Sequence, residues 1–390
     1  MADARIDRRY AHPTMADSCE HASPTSPPPH LVRMDALGRD DMLDYFTRAE
    51  SFRSNTAAGQ RHSGRTVASL FYEPSTRTRL SFESAALRLG AQTLGFSDPA
   101  ASSAAKGETL IDTIRTVERY ADLIVLRHPA EGAARLAAQV ASVPIVNAGD
   151  GGHEHPTQTL FDLYTIHRQR GSLDGLTLGL TGDLKYGRTV HSLALAAAAF
   201  GVTLIFIAPE PLQVPAHLRG RLEGMAIVRT AAAVDEVISE LDALYVTRVQ
   251  TERMDPAEAA ALGTPRSLGP ADLRKAKDDL LVLHPLPRVT EIDPMVDEDP
   301  RAWYFEQLAD GVVMRMAILD ALLAGATPLP LGAGAKLPPP EDPPWRESPD
   351  ASGVTCANPK CVTRLERGVM MRTISHGGAR SCAYCDWCVE

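Results

Sequence analysis

The segment Phe71-Tyr72-Glu73-Pro74-Ser75-Thr76-Arg77-Thr78-Arg79-Leu80-Ser81-Phe82-Glu83 puts hydroxyls and guanidinium groups where an apolar run gives way to a helical pattern. A helix N-terminus offers free backbone N–H groups and a partial positive charge, so such a junction suits a phosphate. A lone Ser or Thr there would more often be an N-cap beside a solvated arginine. The consecutive Ser75, Thr76, Arg77 and Thr78, with Arg127 after a later apolar run, reverse that preference. A second constellation lies in the tail. Cys356-x4-Cys361 and Cys382-x2-Cys385, twenty residues apart, have the paired spacing of a structural zinc site in which four thiolates close a tetrahedron. The alternative is a set of unrelated thiols, and Cys388 and His376 are spare ligand candidates. Only Cys19 lies outside the last thirty-five residues, which argues against a disulfide-stapled secreted fold and for a cytoplasmic one.

These groups need elements to hold them. A chain of 390 residues, 44% hydrophobic and 23% charged, can bury ordinary cores and is long enough for two domains plus additions. The net charge of −9 gives no general attraction to nucleic acid or anionic lipid, so an anion site must be built from a few convergent cations. Apolar stretches such as Leu123 to Leu126 are too short to span a bilayer, and no signal-type segment opens the sequence. Residues 1–30 are polar and Pro/Ser-rich, and residues 326–353 carry Pro338-Pro339-Pro340 and Pro343-Pro344; the first reads as a disordered extension and the second as a linker.

Between them, short β-branched and aliphatic runs alternate with longer helical patterns, the signature of doubly wound parallel sheets in an α/β protein. The expected strands are Val67 to Tyr72, Leu123 to Leu126, Pro144 to Asn147, Leu176 to Leu180, Thr203 to Ile207, Ala243 to Val246 and Leu280 to Leu283. Polar residues crowd just past most of them, including Arg127-His128, Asp150, Asp183 to Arg188, Thr247-Arg248 and His284. Ligands of open α/β sheets bind beyond the carboxyl ends of the strands, so this placement predicts one site assembled from many loops.

The Ser75 to Arg79 run is similar to the carbamoyl phosphate signature of the aspartate and ornithine carbamoyltransferases. Lys106-Gly107-Glu108-Thr109, Arg127-His128-Pro129, His155-Pro156-Thr157-Gln158 and His284-Pro285-Leu286-Pro287-Arg288 follow in that family's order. The resemblance covers about residues 31–325. It implies two doubly wound domains, one binding carbamoyl phosphate (31–165) and one binding aspartate (166–310), with a helix at about 311–325 packing back on the first; the cysteine spacing adds a zinc module at 354–390. By the same resemblance, Ser75, Thr76, Arg77, Thr78 and Arg127 hold phosphate, joined by Ser103 and Lys106 from the adjacent chain, so the active unit is at least a homotrimer. Ser102 stands as the alternative to Ser103. Thr78, Arg127 and His155 polarise the carbonyl oxygen, while Gln158 and the backbone carbonyls of Pro285 and Leu286 orient the NH2. A cis peptide before Pro287 is expected there.

The acceptor is read from Gly182 to Ser192 and Thr247-Arg248-Val249-Gln250, which look like the aspartate branch; neither the Cys-bearing equivalent of the His284 motif nor the Ser-Met-Gly element of the ornithine branch is found. Either arginine alone would more often be a surface salt-bridge residue. Together, Arg188 and Arg248 can each grip one aspartate carboxylate and would repel ornithine's ammonium, with Lys106 and Gln250 completing the set. The resemblance thus implies carbamoyl transfer to L-aspartate, an early step of pyrimidine biosynthesis, with no cofactor for catalysis. The tail also resembles the zinc domain of the regulatory chain that accompanies some of these enzymes, without a nucleotide-binding domain before it. It is expected to dock on a catalytic domain and stabilise assembly. A different amino acceptor, a non-catalytic scaffold and a nucleic-acid-binding tail are the competing readings.

Overall fold

A computed structural model of the chain describes residues 30–54, 59–98, 103–250, 254, 266–325, 355–376 and 379–389. The expected extension up to residue 29, Cys19, Ser102 and the linker lie outside the described residues, as do the side chains of His376 and Cys388.

The first sheet is all parallel, with strands β1 (Thr66–Phe71), β2 (Gln92–Phe96), β3 (Leu123–His128) and β4 (Ile145–Asp150) in the order β2-β1-β3-β4. The second, also parallel, contains β5 (Thr177–Thr181), β6 (Thr203–Ile207), β7 (Val228–Ala231), β8 (Ala243–Val246) and β9 (Leu281–Leu283) in the order β7-β6-β5-β8-β9. Every strand expected from apolar runs is present, because strands covered on both faces read as continuous hydrophobic segments, the outer strands β4 and β9 included. Two were not expected. Both β2 and β7 are edge strands, paired on one side only and largely solvent-facing, so neither carries a buried run to betray it. At Gly95 in β2 the backbone has φ +146°, and a Cβ would lie 2.0 Å from the Ser69 carbonyl oxygen, so only glycine permits this close pairing with β1.

Helices follow the strands: α1 (Arg39–Ser54) precedes β1, α2 (Thr76–Arg88) follows it, α3 (Leu110–Val117) follows β2, and α4 (Ala133–Val140), α5 (Pro156–Arg170) and α6 (Arg188–Ala198) follow β3, β4 and β5. The N-termini of α2, α5 and α6 therefore open at the carboxyl rims of the two sheets. A long helix, Glu306–Gly325, packs on α1, α2 and α5 with Met314, Ile318 and Leu322 buried, returning the chain to the first sheet after the second is complete.

The cysteine module is a small antiparallel sheet of β10 (Thr373–His376), β11 (Ala379–Cys382) and β12 (Cys388–Val389). It docks on the first domain of its own chain. The Glu131 N–H donates to the Lys360 carbonyl (2.9 Å) and the Val362 N–H to the Glu131 carbonyl (2.9 Å), while the Asn358 amide donates to the Glu131 carboxylate (2.7 Å). Arg135 pairs with Asp386, the Tyr384 hydroxyl donates to Gln139 (3.1 Å), and Tyr384 packs so close to Gly132 that a Cβ there would be 2.6 Å away. The cysteines and Tyr384 thereby enter one hydrophobic core with Leu110, Ile114, Leu136 and Val140.

Candidate active site and cysteine cluster

At the first rim, Ser75 is the N-cap of α2 but makes no side-chain bond to its own helix, and no acidic residue occupies the first turn. The open N–H groups, the Ser75 hydroxyl and exposed Thr76 and Arg77 form an anion-attracting end, with Thr78 buried behind them. Arg127, at the end of β3, donates to the Ala148 carbonyl (3.1 Å) and stands 3.5 Å from the Glu73 carboxylate. From the second domain, Arg188 at the first position of α6 reaches across and donates to the Gly151 carbonyl. The two guanidiniums meet over Gly149, where φ is +114° and a Cβ would stand 2.8 Å from Arg127 and 2.9 Å from Arg188. Glycine is needed here for the backbone conformation.

His155, the N-cap of α5, is buried beside them. Burial, then the charges of Arg188, Arg127 and Arg315, push its pKa well below the ordinary histidine value, so the ring is neutral at physiological pH. Its Nε2 has no hydrogen-bond partner among the described residues, although buried polar atoms are normally paired. One turn on, Gln158 donates to Asp162 (2.9 Å). The turn after β9 lies against the same network: the Leu286 N–H donates to His284 Nδ1 (2.7 Å), His284 Nε2 faces Glu291 (2.8 Å), and the Leu286–Pro287 bond is cis.

The loops after β5 and β8 are tied by buried Asp183, which accepts from the Tyr186 N–H (2.8 Å) and the Gln250 N–H (3.1 Å). Gly182 permits this: a Cβ would lie 2.0 Å from the Thr247 carbonyl. Half-buried Arg248 and Gln250 follow β8, the neighbour of β5 in the sheet. Ser103 and Lys106 lie apart from these loops in sequence, exposed on the short 3-10 turn Ser103–Lys106. The base of that turn touches the cysteine module, where Arg367 donates to the Gly107 carbonyl (3.2 Å).

Asp162, Gln307 and Arg315 were not singled out from sequence. Asp162 stands four residues after Gln158 on α5, so the pairing was legible in principle. Arg315 lies between the rings of Phe82 and Phe161 (4.9 Å each), a contact fixed only by tertiary folding.

In the tail, Cys356, Cys361, Cys382 and Cys385 are buried free thiols whose sulfurs lie within 4.8 Å of one another, with edges of 3.6 and 3.8 Å. Metal–sulfur bonds of about 2.3 Å in a tetrahedron require S···S edges of roughly 3.8 Å, so the donor set fits a metal ion such as Zn2+. His153, Glu154 and Asp386 also gather nearby, but the Arg135 guanidinium already lies against both carboxylates, which makes them an ion-pair cluster. No helix among the described residues is long and apolar enough to cross a membrane.

The chain is similar to known proteins over most of its length. The family described as aspartate/ornithine carbamoyltransferase, carbamoyl-P binding domain, matches residues 29–168, and its Asp/Orn binding domain matches residues 174–322. The aspartate carbamoyltransferase catalytic subunit of Methanopyrus kandleri is 50% identical over 300 residues, covering 76% of this chain and 97% of that protein. That of Thermococcus gammatolerans is 55% identical over 262 residues, 67% of this chain and 85% of its own length. Among solved structures, the catalytic subunit of M. jannaschii aspartate transcarbamoylase superposes with a TM-score of 0.71 at 44% identity, covering 76% of this chain and 98% of that one. Aspartate transcarbamoylase from Trypanosoma cruzi, in complex with carbamoyl phosphate and aspartate, does so with a TM-score of 0.71 at 40% identity, covering 75% and 96%. From residue 29 to 322, through both sheets and the rim between them, the chain belongs to the aspartate/ornithine carbamoyltransferase family.

Proposed function

We infer that the protein is an aspartate carbamoyltransferase, which transfers the carbamoyl group of carbamoyl phosphate to L-aspartate to give N-carbamoyl-L-aspartate and phosphate. The observation that carries this reading is the neutral, buried His155, whose Nε2 has no partner among the described residues, beside Arg127 and Arg188 where the rims of the two sheets meet. A carbonyl oxygen that becomes an oxyanion supplies what such a pocket lacks.

Phosphate sits on the N-terminus of α2, held by Ser75, Thr76, Arg77 and Thr78 together with Arg127. Ser103 and Lys106 serve the site of a neighbouring copy, and their exposure on this chain supports that assignment in a homotrimer. Thr78, Arg127 and His155 polarise the carbonyl, while Gln158 and the carbonyls of Pro285 and Leu286 receive the NH2. Arg188 and Arg248 grip the two carboxylates of aspartate, with Gln250 and the neighbour's Lys106 beside them. The neutral amine then attacks the carbonyl carbon, charge collects on donors already aimed at the oxygen, and phosphate leaves. Alignment of two bound substrates can remove roughly 7–11 kcal/mol of the barrier.

The four cysteines hold structural zinc, in a module whose likeness to the regulatory chain's zinc domain is supported by the way it seats on the first domain. Free thiols in its core suit a cytoplasmic protein of pyrimidine biosynthesis. Purified zinc-loaded protein offered carbamoyl phosphate with aspartate or ornithine in parallel should make carbamoyl-aspartate alone. Product from ornithine would overturn the acceptor assignment, and no turnover with either would favour a scaffold.

A further inference from the structure

The NH2 of carbamoyl phosphate needs acceptors, yet Gln158 is an amide that can present either its oxygen or its NH2 group. Which end faces the substrate is decided one turn away. Gln158 Nε2 donates to Asp162 Oδ1 (2.9 Å), and because the amide is planar its oxygen is turned away from Asp162. The same Oδ1 accepts from Gln307 Nε2, which leaves Gln307 Oε1 to accept the His284 N–H (3.0 Å). His284 in turn accepts the Leu286 N–H on Nδ1 (2.7 Å), so its proton is on Nε2, donated to Glu291. A single carboxylate oxygen therefore sets the direction of two amides, one at the rim of the first sheet and one behind the turn that ends the second.

We propose that Asp162 is a positioning residue that orients the carbamoyl-NH2 acceptors of both domains, and through them makes the enzyme prefer carbamoyl phosphate to an acyl phosphate that lacks the NH2. The inference rests on the reading that Gln158 and the Pro285-Leu286 carbonyls meet that NH2.

The surroundings suit a fixed acceptor. Asp162 is fully buried, and its second oxygen accepts the Tyr245 hydroxyl (2.7 Å). Burial raises its pKa to about 7 against the pull of the Tyr245, Gln307 and Gln158 hydrogen bonds and of the Arg315 charge. A proton taken up on Oδ2 would be donated to the Tyr245 oxygen, and Oδ1 would still accept from both amides. Orientation thus depends on an acceptor at Oδ1 and not on the charge. An amide that met a second donor at this position would instead turn its NH2 toward the substrate, opposing a donor with a donor.

The test compares kcat/KM for carbamoyl phosphate with that for acetyl phosphate, which carries CH3 in place of NH2, using the full-length zinc-loaded protein and saturating aspartate. Asp162→Leu should lower the preference for carbamoyl phosphate roughly tenfold or more, the scale of a lost or reversed buried hydrogen bond. Asp162→Asn, with its oxygen in the Oδ1 position and its NH2 toward Tyr245, should keep the preference within about threefold. Gln307→Met, which spares the carboxylate, supplies a second reading if Asp162→Leu does not fold, and should lower the preference roughly threefold. Melting curves and oligomeric mass identify which variants are folded. Equal losses against both phosphates, an unchanged preference, or an Asp162→Asn variant as indiscriminate as Asp162→Leu would overturn the proposal. Gln158→Met, measured in parallel, keeps the two readings apart: an unchanged preference there removes the premise that Gln158 meets the NH2, whereas a lowered one with unaffected Asp162 and Gln307 variants sinks the role of Asp162 alone.

Discussion

The rim between the two sheets and the face between the cysteine module and the first domain are both polar surfaces inside the folded chain, and they are built in opposite ways. At the rim, two guanidiniums converge on Gly149 and a neutral histidine keeps a buried nitrogen without a partner among the described residues. At the docking face, polar groups meet complements: Arg135 with Asp386, His153 between Asp150 and Asp386, and the Asn358 amide donating to the Glu131 carboxylate. Guanidiniums gathered at one rim attract an arriving anion, and matched charges contribute only if both sides stay together. The first arrangement suits ligands and the second suits permanent contact. Changes at the rim should cost activity with little stability, and changes at the docking face the reverse.

The largest effect is expected at Arg248. Removing a guanidinium from a carboxylate forfeits charge-assisted hydrogen bonds of about 1.5–3 kcal/mol each, so Arg248→Ala should raise the KM for aspartate roughly a hundredfold. The carbamoyl phosphate requirement and the melting midpoint should barely move. Steady-state kinetics with each substrate varied in turn checks this, and equal weakening of both would break the division between rim and scaffold.

Next in size is metal removal. If the four buried thiols share the proposed ion, its loss should loosen the module's contacts along Glu131, Arg135 and Gly132 together. Chelation should lower the thermal midpoint by roughly 5–10 °C and shift the oligomeric mass. A zinc-free protein of unchanged mass and midpoint would show that the docking face holds without its cluster.

The same contrast explains what could be read from the sequence. The rim's residues lie in short segments, Ser75 to Arg79, His155 to Gln158 and Thr247 to Gln250, because each loop follows one strand and supplies adjacent groups. Strands buried along their length announced themselves, the outer β4 and β9 among them, and the solvent-facing edge strands β2 and β7 did not. The cysteine spacing pointed to a cluster, but Glu131, Arg135, Gln139 and His153, which receive the module, sit more than two hundred residues away and look like ordinary surface polar residues. Arg315 and Gln307 were hidden likewise, since their partners on α2 and α5 are chosen by packing.

The smallest effect tests the docking face through pH. His153 is held by Asp150 (3.0 Å) and Asp386 (3.1 Å). Burial alone would lower its pKa, but the Asp150 carboxylate, with Asp386 and Glu154 behind it, outweighs burial and raises the value to about 10. A folded-state pKa above the unfolded value of 6.5 means that the folded form binds the extra proton between the two. The stability it contributes is fully present below pH 6.5 and fades as pH rises toward 10. The partner Asp150 is depressed despite its burial, chiefly by the His153 charge, so its share is lost only in acid. His153→Gln should therefore lower the melting midpoint by a few degrees near pH 6, with the gap from the parent closing as pH approaches 10. A gap that stayed constant across that range would mean that His153 packs without carrying charge, and the docking face would then be held by shape and by the cluster instead of by matched ions.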